Sequence, residues 1–329
     1  MNDQSKSPLP PHVVIAGHGR SGTNMVLDLF DCHRMSFCRN EPNELHGTGF
    51  TGLGDAMFGD PVPADFAARW QQAVATTIRS NGARDRFGLD KDYFRSPLVA
   101  RAGQAVMSRA RLRELLLPKS EGRTVEEWPC PGPYYNHTAL ARALPVLKIL
   151  LAPAWIARAH DLFPGQQVVH VVRRPEGFIQ SWWSRYVTGI GGGPEKVFAD
   201  NQPSLEIILA HFGHADKKPA SYSLEALLVS ELWRWRYMNE VLAEALSTSD
   251  RYLPVPYEAV MKERMVWAET LYTFAGLEMT DTTRTQVEGM QNTLFGKRKP
   301  DGLEPDLVAS AVAQVTADSA WWAAFGGKK

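Results

Sequence analysis

The sequence predicts an α/β fold: a P-loop-like doubly wound domain with a central, mostly parallel sheet flanked by helices. Two features carry this expectation. An apolar run passes through a glycine loop into an amphipathic segment, VVIAGHGRSGTNMVLDLF over residues 13–30. From residue 146 onward, short apolar runs alternate regularly with helical stretches, the pattern of βα units. No internal repeat, low-complexity segment or clear linker interrupts the chain. Residues 12–329 are therefore expected to form a single domain, ample for a continuous core. Residues 1–11 (MNDQSKSPLPP) are polar and proline-rich and read as a disordered tail without an apolar leader.

Residues 13–16 are apolar throughout and end at Gly17, as in a strand buried on both faces. Residues 24–31 carry Met25, Val26, Leu29 and Phe30 on one face at helical spacing. Residues 47–59 are glycine-rich and read as loop. A helix is expected over 63–80, with Phe66, Trp70, Val74 and Ile78 on one stripe, and another over 101–117, basic on one side. Residues 118–135 (PKSEGRTVEEWPCPGPYY) hold four prolines and read as irregular, the length of loop that forms lids and binding surfaces. Strands then follow over 146–150, 167–172 and 251–255. Helices are expected over 154–162, 176–187, 224–246, 260–275 and 306–325, with a glycine break over 189–194.

Lys+Arg and Asp+Glu both number 36, giving a net charge of zero. That balance offers no general attraction to nucleic acid or a membrane surface. Any anion site must be local, built from a few placed arginines and amides. Cys32, Cys38 and Cys130 form no CxxC pair, which suits a reducing compartment and argues against a disulfide scaffold or zinc site. No apolar stretch approaches the ~18 residues of a membrane span. A soluble, cytoplasmic protein is expected.

Gly17-x-x-x-x-Gly22 has the glycine spacing of a Walker-type loop, which turns backbone N–H groups toward an anion at a helix N-terminus. The Lys and Ser/Thr that would follow Gly22 in a nucleotide triphosphatase are replaced by Thr23 and Asn24, and the cation moves into the loop as Arg20. The strand over 167–172 ends in Arg173-Arg174, where a metal-binding aspartate would be needed. A site so built is poorly equipped for a phosphoryl group, whose charge metal ions neutralise in the known template. A sulfuryl group carries less charge. A tight βα turn that uses glycine for positive φ is the simplest non-functional account of the loop. In HVVRRPEGFIQSWWSRY, residues 170–186, Arg173 stands at a strand end, Pro175 in the first helical turn, and Ser181 further along the helix. Arg173 offers a fork and Ser181 a hydroxyl to a phosphate.

These segments resemble the sulfotransferases that use 3′-phosphoadenosine-5′-phosphosulfate (PAPS), in their bacterial and carbohydrate-type branch. The resemblance implies that Arg20, Ser21, Gly22, Thr23 and Asn24 hold the phosphosulfate, and that Arg173 and Ser181 bind the 3′-phosphate. YLPVPYEAVMKERMVWAETLYTFAGL, residues 252–277, is similar to the family's strand, Tyr-Glu and Phe-x-Gly-Leu stretch, which would put Tyr257 near the adenine. VLKILLAPAWIARAHDLFPGQQ matches the run-up to the second motif. Coverage is piecewise from Val13 to Leu277, with 47–135 unmatched. That stretch is expected to be the helical and loop insertion that binds the acceptor. Arg174 stands where many relatives have aspartate, and Arg20 where cytosolic relatives have lysine. In GKRKPDG, residues 296–302, Lys297 or Arg298 is a candidate counterpart of the C-terminal Arg-Lys-Gly loop of cytosolic relatives, but a basic surface turn is the better reading and neither is placed in the site.

Sulfuryl transfer to an alcohol needs a base within reach of the acceptor hydroxyl. CRNEPNELHG, residues 38–47, follows the first βα unit, at the edge where open α/β sheets bind ligands. Glu41-Pro42 resembles the Glu-Pro of carbohydrate-type members, whose glutamate is the general base. Glu44 and His46 remain rivals, and a solvated loop side chain is the ordinary fate of any of them. The expected reaction is direct in-line displacement: Glu41 takes the hydroxyl proton while Arg20 and the amides of residues 21–24 stabilise charge on the departing oxygen. No metal is called for, and Lys148 is a candidate helper, although a strand-end lysine is more often solvated. The acceptor is a small-molecule, carbohydrate or lipid hydroxyl, with carbohydrate or glycolipid favoured. Two other classes compete: a small-molecule kinase on a degenerate P-loop, and a non-catalytic nucleotide-binding protein.

Overall fold

The structure is a computed structural model that describes residues 9–44, 49–50, 52–81, 91–96, 98–99, 101–102, 128–129, 136–190, 192–290 and 303–326. Most of the expected insertion, His46, Cys130, Lys297 and Arg298 lie outside the described residues, as does the side chain of Glu44.

Five parallel strands build the central sheet: β1 (His12–Gly17), β2 (Ser36–Asn40), β3 (Leu144–Leu150), β4 (Gln166–Val172) and β5 (Tyr252–Pro256). Their order is β2-β3-β1-β4-β5. The helices that cover it are α1 (Thr23–Asp31), α2 (Phe66–Arg79), α3 (Pro153–Leu162), α4 (Pro175–Trp182), α5 (Pro194–His211), α6 (Leu224–Leu246), α7 (Tyr257–Lys262), α8 (Arg264–Phe274), α9 (Asp281–Gly289), α10 (Pro305–Thr316) and α11 (Ala320–Gly326). Residues Val13 to Ala16 of β1 have no exposed surface. Val13 and Ile15 pack with α1, α8 and α9, while Val14 and Ala16 pack with α2, α3 and α6. A strand covered on both faces must be apolar at every position, which is why its sequence runs rather than alternates.

Strand β2 was not among the expected strands. Its Arg39 hides the pattern: although charged it is buried, donating to the carbonyls of Thr77 and Cys38 and lying over the Phe37 ring. Helix α5 also escapes the pattern, because Pro203 lies within it and its buried face includes Asn201, which bonds to Glu231 at 3.0 Å. The stretch 260–275 divides into α7 and α8 at Glu263, whose ψ of 53° leaves the helical region. The C-terminal helix divides into α10 and α11, and the helix begun at Pro175 changes at Trp183 into a π-helix, Trp183–Ile190. Among the described residues no helix is long and apolar enough to cross a membrane.

His170 ties β4 to its neighbours. It has no exposed surface, and its ring nitrogens lie 2.8 Å from the Tyr252 hydroxyl and 2.9 Å from Asn239 Oδ1. The second contact makes Nε2 the donor, so Nδ1 accepts from tyrosine and the ring is neutral. Burial pulls its pKa down to about 4, partly offset by the Asn239 bond. Below the unfolded value near 6.5 the denatured chain takes up a proton that the folded form refuses. Stability contributed by neutral His170 is thus present above pH 6.5 and is lost as pH falls toward 4. Chemical denaturation of wild type and His170→Gln between pH 7.5 and 4.5 should differ in slope by up to about 1.4 kcal/mol per pH unit. Parallel slopes would remove His170 as the cause.

Candidate active site

The loop between β1 and α1 lies at the C-terminal edge of the sheet, beside the ends of β3 and β4. Gly22 caps α1 with φ 91°, its carbonyl accepting from the Met25 amide at 2.9 Å, and no side chain among the described residues caps the helix, which leaves the amides before Met25 for another acceptor. A Cβ at Gly22 would fall 2.0 Å from the Tyr257 ring, so both backbone conformation and space require glycine. Gly22→Ala should therefore abolish anion binding and lower stability by at least about 1–3 kcal/mol, read by calorimetry and thermal unfolding. Thr23 and Ser21 are buried, and the Ser21 hydroxyl meets no hydrogen-bond partner among the described residues. Asn24 is exposed on the first turn of α1.

Two arginines meet over this loop. Arg173, at the end of β4, donates from Nη1 to the carbonyl of Arg20 at 3.1 Å. Arg20 donates from Nε to the Ser181 hydroxyl on α4 at 3.2 Å. Tyr257, at the start of α7, is almost fully buried, with its ring against Gly22 and 4.8 Å from the Arg173 guanidinium carbon. Its ring therefore serves as a platform for the arginine. Burial pushes the Tyr257 hydroxyl up to about 12 and lowers the pKa of Arg173. Arg173 Nε has no hydrogen-bond partner among the described residues. A desolvated guanidinium with an unused N–H suits an incoming anion. Glu258 accepts from the Arg174 amide at 3.1 Å and fixes the entry to α4, a contact that no local sequence pattern marks.

A second group lies at the ends of β2 and β3. The Lys148 ammonium, 1% exposed, donates to Glu41 Oε1 at 2.6 Å and to Asn24 Oδ1 at 2.5 Å. The Glu41 amide donates to the Lys148 carbonyl at 2.9 Å, so backbone and side chain hold the glutamate together. Lys148 is thus buried, against the expectation of a solvated strand-end lysine, because carboxylate and amide oxygens replace its water. Arg20, Glu41 and Leu151 have φ of 75°, 53° and 52°, left-handed values that are costly for residues other than glycine. Each follows the end of one of three strands, β1, β2 and β3. Strain gathered on one sheet edge is characteristic of functional sites.

Behind the loop, His18 is buried and packs edge-on against Phe178 at 4.7 Å. Burial, with the positive charge of Arg234, lowers its pKa to about 3. Its 3.4 Å contact with Glu231 is therefore that of a neutral ring, and burial also raises the Glu231 pKa. His33 caps the turn after α1, its Nδ1 accepting from the Met35 amide and its Nε2 donating to the Glu278 carbonyl, 3.1 Å away, outside the loop. Among the described residues no group of three His, Cys, Asp or Glu side chains is gathered as for a metal ion.

No protein-family model and no curated protein sequence matches the chain. Solved structures similar to it include sulfotransferases. The sulfotransferase domain of the Synechococcus PCC 7002 olefin synthase is 14% identical, with 96% of this chain and 90% of that one covered and a TM-score of 0.38. A sulfotransferase from Alicyclobacillus acidocaldarius is 13% identical over 94% and 95%, with a TM-score of 0.37. One from Mycobacterium avium is 12% identical over 95% and 77%, with a TM-score of 0.41.

Proposed function

We propose that the protein is a PAPS-dependent sulfotransferase that moves a sulfuryl group to a hydroxyl of a small acceptor, a carbohydrate or glycolipid, with Glu41 as general base. The observation that carries this reading is the meeting of Arg20 and Arg173, 153 residues apart, over one uncapped helix N-terminus. The unused Arg173 Nε and the buried Ser21 hydroxyl fit an anionic nucleotide. Arg20 and residues 21–24 would hold the 5′ group, and Arg173 with Ser181 the 3′-phosphate. Tyr257 contributes chiefly by supporting Arg173. PAPS, when bound, supplies the activated sulfuryl group.

The chain's own part is to bind, orient and take a proton. Arg20 and the free amides of α1 stand where negative charge would build, already oriented and needing little rearrangement. Glu41 Oε accepts the acceptor's hydroxyl proton, and Lys148 holds that carboxylate beside the loop through Asn24. The strand ends present no carboxylate in the Walker-B position, which weighs against phosphoryl transfer.

Two measurements test the reading. Radiolabelled sulfate from PAPS should pass to at least one member of a panel of hydroxyl compounds. Adenosine 3′,5′-bisphosphate should raise the melting temperature, whereas ATP with Mg²⁺ should not. Magnesium-dependent ATP turnover would establish the kinase instead. Tight nucleotide binding with no transfer to any acceptor would establish a non-catalytic binding protein.

A further inference from the structure

The π-helical stretch Trp183–Ile190 has no part in the reading above, yet it runs beside the phosphate loop. A Cβ at Gly19 would lie 3.7 Å from the Tyr186 hydroxyl, so the phenol reaches the crest of the loop immediately before Arg20. The Tyr186 ring is half-buried and packs near Trp182, with ring centroids 6.4 Å apart. Ser181, which receives the Arg20 Nε–H, lies five residues earlier on the same helical rod. In an uninterrupted α-helix those two residues would be separated by about 140° around the axis. The wider i→i+5 winding removes part of that rotation and swings Tyr186 back toward the side that carries Ser181. Such winding is uncommon and is found disproportionately at functional sites.

We propose that Tyr186 is a further binding residue, whose hydroxyl donates a hydrogen bond to an anionic oxygen held by the phosphate loop. The ligand group is the 5′-phosphate of the nucleotide, so the inference rests on the proposed function. Arg20 supplies charge from one side of the loop's crest, and Tyr186 supplies a neutral donor from the facing helix. The ring's packing on Trp182 limits its rotation and keeps the donor aimed.

Tyr186→Phe removes the oxygen and keeps the ring. By calorimetry the variant should bind adenosine 3′,5′-bisphosphate about 10-fold or more weakly, the usual consequence of losing a hydrogen bond to a charged group. Its affinity for adenosine 3′-monophosphate, which lacks the 5′ group, should match wild type. Even if the substitution changes the melting temperature, the ratio of the two affinities within one variant still reads the hydroxyl, because both nucleotides meet the same fold. Unchanged bisphosphate affinity, or an equal loss for both nucleotides, overturns the assignment of Tyr186 and leaves the proposed function standing. A wild-type protein that binds neither nucleotide overturns the proposed function, and the tyrosine's role with it.

Discussion

Arg173→Ala is expected to weaken binding of adenosine 3′,5′-bisphosphate by about 100-fold or more, while Arg174→Ala changes it little. A charge-assisted hydrogen bond contributes about 1.5–3 kcal/mol, and Arg173 offers several from one planar fork. The two neighbours in sequence differ in placement. Arg173 is half-buried over the Tyr257 ring and bonded to the Arg20 carbonyl, whereas the Arg174 side chain is exposed. Removing Arg173 thus deletes an anion donor and also releases the loop carbonyl that keeps Arg20 in its left-handed conformation. Arg173→Lys should recover only part of the affinity, because an ammonium cannot bond to the Arg20 carbonyl and present a fork at once. Titration calorimetry on the variants decides the matter. Equal effects at the two positions would mean that net charge alone, and not the fork, attracts the nucleotide.

What could be read from the sequence and what could not differ in physical kind. The run Val13 to Ala16, the glycine spacing and the helical stripe of α1 are local patterns, each fixed by the burial of neighbouring residues. The strand-end position of Arg173 is local too, since it needs only the end of the apolar run before it. Lys148 is different. Its partners Asn24 and Glu41 lie 124 and 107 residues away, so no periodicity distinguishes it from a solvated lysine. The positive φ of Arg20, Glu41 and Leu151 is equally hidden, because no glycine marks these positions. Tyr186 is concealed by the change from α to π winding, which moves a residue to another face without altering its neighbours in sequence. Local patterns gave the frame and the loop; the contacts that aim the chemistry are non-local.

Glu41→Gln is expected to slow sulfate transfer by about 10²–10⁴-fold, the usual contribution of a positioned general base, with nucleotide affinity unchanged. Stability separates this chemical loss from structural damage. Glu41 and Lys148 are a largely buried pair, 17% and 1% exposed, and neutralising one partner leaves the other charge without its counterion. Such a loss costs up to about 3–5 kcal/mol, so Glu41→Gln and Lys148→Met should each lower the melting temperature. The double variant Glu41→Gln/Lys148→Met has no orphaned charge and should regain much of that stability, as removal of whole buried pairs commonly does. It should not regain transfer, because the proton acceptor is still missing. Recovery of activity together with stability would make the pair a structural brace, and a transfer rate abolished by Glu44→Gln but not by Glu41→Gln would place the base one helical turn later. The Glu41 amide donates a hydrogen bond to the Lys148 carbonyl and its φ is left-handed, so the backbone fixes where this residue stands on the sheet edge; a base needs that placement, whereas a brace needs only the ion pair.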